Sequence, residues 1–287
     1  MYLVGKTKIP SGETIAYRKK EGTTDTVMLI HGNASSSVHW ETTMDALDRT
    51  VIAPDLRGFG HSSYNAPFGS LRELAQDLRQ LAKELGLGKL TLVGWSTGGG
   101  VAYELAAMAP EVVKKVVTLG AVPVTGYPMF KKDETGAPIF TEPLSTREEI
   151  AADPVQVVPM LDAIRDRNRE FLKLVLGATL YSKAWPAGED IERYVDAILM
   201  QRCLVDTNYS LVNFNMQGKD GIGQVKCPIV MLHGTLDAVV PLALAQKSQE
   251  DIKAAGCDVN LVTLGGCGHS PITDDPKRFF EVLRENL

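Results

Sequence analysis

The chain has 287 residues, 44% of them hydrophobic, and a formal charge of −5 at pH 7. Such a composition can fill the core of one large domain, or of one domain carrying an insertion. No block of Lys or Arg is longer than the three residues 18–20, with pairs at 114–115 and 131–132, which excludes the basic footprint of a nucleic-acid or anionic-lipid binder.

Segments 2–9 and 14–20, separated by Ser11 and Gly12, are expected to form an antiparallel edge hairpin. Short apolar runs follow at 26–32 (Thr26, Val27, Met28, Leu29, Ile30 entering His31 and Gly32), 51–54, 90–95, 112–119, 228–232 and 259–264. Each is too short for a helix and reads as a buried parallel strand. Between them, Leu71, Leu74, Ala75, Leu78, Leu81, Ala82 and Leu85 recur at three- and four-residue spacing, the buried stripe of an amphipathic helix. Strand alternating with helix is the pattern of a doubly wound α/β sheet.

The alternation stops between about Val124 and Gln224. Pro, Gly and charged residues there mix with amphipathic stretches such as Leu161, Ile164, Phe171, Leu172, Val175 and Leu176, and no strand-like run is visible. The expected organisation is a core of residues 1–123 and 225–287 interrupted by a helical cap at 124–224. Tyr127, Met129, Phe130, Phe140, Phe171, Tyr181 and Trp185 of that insertion suit either an apolar substrate pocket or the cap's own core.

Cys203, Cys227, Cys257 and Cys267 lie far apart with no pair at metal-ligand spacing, so neither a metal site nor a disulfide scaffold is expected. The first ten residues lack a signal-peptide stretch, and no run approaches the ~18 apolar residues of a membrane span. A cytoplasmic protein without cofactor, monomeric or homodimeric, with no nucleic-acid or membrane partner, is the resulting expectation.

The richest local pattern is Leu90, Thr91, Leu92, Val93, Gly94, Trp95, Ser96, Thr97, Gly98, Gly99, Gly100. In a nucleophile elbow a serine sits on a sharp strand-to-helix turn with its hydroxyl above the sheet end, and side chains two residues before and after would crowd it. Gly94 and Gly98 satisfy that demand. Val101, Ala102, Leu105, Ala106 and Ala109 continue at helical spacing, supplying the helix the turn needs.

A serine needs a neighbouring base, itself oriented by a carboxylate. Of five histidines, His269 is the candidate base, in the loop Gly265, Gly266, Cys267, Gly268, His269, Ser270, Pro271 past the last strand. His31 and His233, each before a glycine at a strand end, are assigned to packing and loop hydrogen bonds, and His39 and His61 to the surface or rim. Asp237, in the turn after the penultimate strand and before a helix beginning near Pro241, is the candidate acid, with turn or helix capping as its alternative. Asp274 and Asp275 are read as the start of the final helix. Backbone amides of Thr97, after the nucleophile, and Asn33, after the first parallel strand, are the candidate oxyanion hole. Gly32 and Trp95 are assigned to substrate contact.

On His31, Gly32, Asn33; Asp55, Leu56, Arg57, Gly58, Phe59, Gly60, His61, Ser62; Gly94 to Gly98; Asp237; and Gly268, His269, the chain resembles the α/β-hydrolase superfamily, in the branch with a helical cap. The resemblance implies a mostly parallel eight-stranded sheet flanked by helices, with the triad in the order Ser, Asp, His. It also implies that the 55–62 segment shapes the floor of the site. Serine at 96 departs from the dehalogenase and epoxide hydrolase branches, which carry aspartate there. Hydrolysis of a carboxylic ester or lactone through an acyl-enzyme is the leading expectation. Alternatives are a cofactor-free carbon–carbon bond hydrolase or perhydrolase with the same triad, and a non-catalytic ligand receptor on the same fold.

Overall fold

A computed structural model describes residues 3–22 and 25–287. In chain order, β1 (Leu3–Lys8) and β2 (Thr14–Lys20) form the edge hairpin, and β3 (Thr26–Ile30) begins the parallel core. The expected start of the first strand at residue 2 lies outside the described residues. Then come α1 (Glu41–Ala46), β4 (Val51–Pro54), α2 (Leu71–Glu84), β5 (Leu90–Trp95), α3 (Thr97–Met108) and β6 (Val113–Leu119). An insertion carries β7 (Phe130–Lys132), β8 (Pro138–Pro143), α4 (Arg147–Ala151), α5 (Val158–Arg165), α6 (Arg169–Thr179), α7 (Gly188–Leu199) and α8 (Leu204–Val212). The core closes with β9 (Ile229–Gly234), α9 (Leu242–Ala254), β10 (Val259–Leu264), α10 (Pro271–Asp274) and α11 (Pro276–Asn286).

Eight strands form one sheet in the order β1-β2-β4-β3-β5-β6-β9-β10. Only the β1–β2 and β2–β4 pairs are antiparallel; every other neighbouring pair is parallel. This is the expected α/β-hydrolase architecture, mostly parallel and eight-stranded. Successive strand residues face opposite sides, as the pleat requires. Met28 and Ile30 join α2, α3 and α9 in one core layer, while Val27 and Leu29 join Met44 of α1 and Phe279, Val282 and Leu283 of α11 in the other. With both faces covered, the parallel strands need continuous apolar runs rather than alternation.

In α2 the predicted stripe, Leu71 to Ala82, is buried, and Ser70 caps the helix by accepting from the Glu73 amide. All four cysteines are free thiols. No helix of the described residues is long and apolar enough to cross a membrane.

The insertion departs from expectation in two ways. It contains an antiparallel hairpin, β7 with β8, although no strand was visible in its sequence. β8 is mostly exposed and the three-residue β7 mostly half-buried, with no residue of either fully buried, so they carry no apolar alternation to read. Moreover, its last part returns to the main body: Leu211, Phe214, Met216, Ile222 and Val225 pack in the α2–α3 core layer. The cap's separate core runs instead from Met129 to Leu204.

Candidate active site

The carboxyl ends of β3, β5, β6, β9 and β10 bring five loops together. At the end of β5, Ser96 has φ 55° and ψ −120°, a left-handed conformation that an L-residue adopts at a cost. Three backbone hydrogen bonds hold it there: the Ser96 amide donates to Leu119 O, and its carbonyl accepts from the Gly99 and Val122 amides. The flanking glycines serve clearance, since a Cβ on Gly98 would lie 2.2 Å from Ile30 O and one on Gly94 2.3 Å from Gly98 O. Thr97 opens α3, where first-turn amides have no intrahelical acceptor and the helix dipole favours negative charge.

Asp237 and His269 form a buried pair, with His269 Nδ1 and Asp237 Oδ2 2.8 Å apart. The other carboxylate oxygen, Oδ1, accepts from the amides of Val239 and Val240 at 2.9 and 2.8 Å. The two readings of Asp237 are thus both occupied, turn cap by one oxygen and imidazole partner by the other. Burial opposes its charge, but the bond from His269, that ring's positive character and the Val240 amide hold the carboxyl below its ordinary range. His233, as expected, braces the loop, with Nε2 donating to Val240 O at 2.8 Å. At Gly120, φ is +51° and a Cβ would come within 3.0 Å of both Asp237 Oδ2 and His269 Nδ1. Only a glycine lets the acid–base pair lie over the end of β6.

On the other side, the loop after β3 carries Gly32, Asn33 and Ala34. The left-handed residue there is Ala34, φ 49°, rather than Asn33. The Asn33 amide has no acceptor among the described residues, and Asn33, Ser96 and Thr97 share one cavity of about 140 Å³. His31 supports this loop as a neutral ring. Its Nδ1 donates to Gly32 O at 2.8 Å while Nε2 accepts from the Leu56 amide at 3.0 Å, which fixes the tautomer.

Several expected roles change. Trp95 is buried and does not line the cavity; its indole N–H donates to His269 O at 2.9 Å, tying the base to the residue beside the nucleophile. Gly32 likewise gives clearance rather than contact, because a Cβ there would sit 2.9 Å from Ser96 Cβ. His39 is buried rather than at the rim, stacked on Tyr194 of α7 with ring centroids 4.0 Å apart; the cap covers it. His61 is exposed. None of residues 55–62 lines the cavity. Asp55 instead accepts from Ser37 and the His61 amide, and Arg57 forms a two-pronged buried pair with Asp77 of α2. Among the cap aromatics only Tyr127 lines the cavity. Phe130 and Phe140 pair on the β7–β8 hairpin, and Tyr181 pairs with Trp185.

Two further residues support the site, Gln201, which the sequence reading did not single out, and Asp274, which it read as a helix start. Buried Gln201, just past α7, donates from Nε2 to Asn33 Oδ1 at 2.7 Å and accepts the Ala34 amide on Oε1 at 3.1 Å. Asp274 is not a helix start; that role belongs to Asp275, which accepts from the Arg278 amide. Asp274 accepts the Gly268 amide at 2.6 Å, and with it the amides of Ser182, Lys183 and Ala184 from the cap. Neither lies in a recognisable motif. A glutamine after a helix and the first of two aspartates reveal their partners only in three dimensions.

The model of a family described as "alpha/beta hydrolase fold" matches residues 25–276. A pimeloyl-[acyl-carrier protein] methyl ester esterase of Aliivibrio fischeri is 25% identical over 286 residues, 96% of this chain and 98% of that protein. An uncharacterised protein of Mycobacterium tuberculosis is 27% identical over 274 residues, 91% of this chain and 75% of its own length. Among solved structures, an esterase from Exiguobacterium antarcticum superposes with a TM-score of 0.76 at 21% identity, covering 99% of this chain and 98% of that one. A putative aryl esterase from Burkholderia cenocepacia gives 0.75 at 22% identity, covering 99% and 97%.

Proposed function

Because the chain belongs to the alpha/beta hydrolase fold family, we propose that it is a serine hydrolase of carboxylic esters, lactones being the intramolecular case. The observation that carries this reading is the 2.8 Å bond between His269 and a buried Asp237, tethered through Trp95 to a serine on a strained elbow. Ser96 Oγ attacks the ester carbonyl while His269 takes its proton and then delivers it to the departing alcohol. Water repeats the cycle on the acyl-enzyme. Asp237 keeps Nδ1 protonated, so that Nε2 is the basic nitrogen. The amides of Asn33 and Thr97 meet the oxyanion, each such donor stabilising the transition state by about 3 kcal/mol. The esterase relatives support the choice of bond, and the serine at 96 supports acyl transfer over chemistries that use an aspartate nucleophile.

Turnover of p-nitrophenyl esters tests it. Ser96→Ala should lower kcat by about 10⁴-fold or more, and a fluorophosphonate should label Ser96 in the native protein and nothing in the variant. Near-normal turnover by Ser96→Ala would overturn the reading.

A further inference from the structure

The cavity beside Ser96 has a volume of about 140 Å³. Since a water molecule in the liquid occupies about 30 Å³, such a space takes about five water-sized groups, a chain of a few non-hydrogen atoms. Ser96, Asn33 and Thr97 lie along it but His269 does not. A leaving alcohol has to receive its proton from His269, so it must lie on the imidazole side, and the cavity is left to the acyl half of the ester.

The walls have a definite chemistry. Val122, Leu211, Val239 and Val240 make them apolar, and no Lys, Arg, Asp or Glu lines them. A carboxylate-tipped acyl chain would find no counter-charge there, and leaving a charge unpaired on entry is costly. Apart from Asn33, Ser96 and Thr97, three polar side chains interrupt this surface: Gln156, which is exposed to solvent, and the less exposed Tyr127 and Asn208. The Tyr127 hydroxyl has no hydrogen-bond partner among the described residues, and burial, followed by the charge of Asp237, pushes the phenol above its usual value, so it stays a neutral donor and acceptor. Asn208 Nδ2 donates to Leu204 O at 2.9 Å, which leaves Oδ1 as the acceptor this side chain can offer.

We propose that this cavity is the acyl subsite and that Tyr127 and Asn208 select a short, uncharged acyl chain bearing a hydroxyl or amide N–H a few atoms from the ester carbonyl. The assignment rests on the serine-hydrolase reading above. It makes Tyr127 and Asn208 specificity residues and Ser96, Asp237 and His269 indifferent to the acyl group.

A panel of p-nitrophenyl esters separates these possibilities. The native protein should turn over the 3-hydroxybutyryl ester with about tenfold higher kcat/KM than its 3-methylbutyryl isostere, the worth of one net hydrogen bond. It should lose at least about tenfold between butyryl and octanoyl, and as much for the hemisuccinyl ester. Tyr127→Phe and Asn208→Leu should each bring the ratio of kcat/KM for 3-hydroxybutyryl over 3-methylbutyryl from about tenfold to about one, with circular dichroism melting confirming the fold. Ser96-dependent turnover that favours octanoyl or hemisuccinyl, or a hydroxyl preference that survives both variants, overturns the subsite alone. Absence of Ser96-dependent turnover across the panel, with no fluorophosphonate adduct, overturns the hydrolase reading and the subsite with it.

Discussion

Asp237 shows how much one side chain contributes at this site. Its Oδ1 fixes the turn at Val239 and Val240, so its Oδ2 is already aimed when His269 arrives. Gln201 does the same for the opposite wall, joining the Asn33 side chain to the Ala34 amide and thereby orienting the Asn33 N–H. Gln201→Ala should therefore remove two hydrogen bonds, leaving the Ala34 amide and Asn33 Oδ1 only their mutual bond of 2.9 Å, at a cost of about 1–2 kcal/mol of stability. It should also lower kcat by roughly 10- to 100-fold with KM little changed, because an oxyanion donor acts only as charge develops. Affinity for a trifluoromethyl ketone, which binds as a tetrahedral oxyanion, should fall in proportion to kcat/KM; unchanged affinity would mean that Gln201 is structural only. Ser96, Asp237 and His269 were legible in the sequence because each sits in a stretch whose backbone demands leave a mark: glycines where a Cβ has no room, an apolar strand before each loop. Gln201 left none, for its partner Asn33 is 168 residues away.

Among the elements, the loops of the candidate site follow β3, β5, β6, β9 and β10, consecutive neighbours in the parallel part of the sheet, and the apolar runs that locate these strands are the part of the fold most plainly written in the sequence. The cap is the part least so. Its hairpin shows no buried apolar alternation, and beyond the apolar residues of its last part the cap is joined to the core by single polar residues that no periodicity marks. Asp274 is the clearest of these, a buried carboxylate that receives three amides of the cap loop and the Gly268 amide beside His269. The Ser270 amide adds a bond to Leu180 O across the same seam. Asp274→Asn keeps the shape but replaces one acceptor oxygen by a donor, which meets N–H groups head-on. We expect a fall in kcat of the order of tenfold to 100-fold, the size produced when a reacting group is displaced by about 1 Å. Faster amide exchange at Ser182 to Ala184 and at Gly268 should accompany it. Exchange that accelerates at the cap loop alone would show that the carboxylate holds the cap without positioning His269.

At the scale of the whole molecule the buried histidines couple folding to pH. His31, His39 and His233 are all buried, and burial, the leading cause in each, drives their pKa values down, that of His39 to about 3. In the unfolded chain an imidazole titrates near about 6.5. Below that pH the unfolded state takes up protons that the folded state refuses, so stability falls as pH falls. All three therefore act in the same direction, and His39 contributes up to about 1.4 kcal/mol per pH unit once the unfolded imidazole is charged, a loss that continues to about pH 3. Asp237, whose carboxyl is held low, adds its own loss only once the pH nears the unfolded carboxylate value of about 4. Between pH 7 and 5 the histidines should therefore dominate, and urea midpoints at pH 7.5, 6.0 and 5.0 should fall steadily. His39 allows the assignment to be checked singly, because neither ring nitrogen has a partner among the described residues. In His39→Leu the lost stacking on Tyr194 and the removal of two unsatisfied nitrogens act in opposite directions, leaving stability at pH 7.5 within about 1 kcal/mol of the native value. The pH slope should drop by the equivalent of one proton, about 1.4 kcal/mol per pH unit once the unfolded imidazole is charged. An unchanged slope would mean that His39 already takes up its proton in the folded state, in contact with water under the cap.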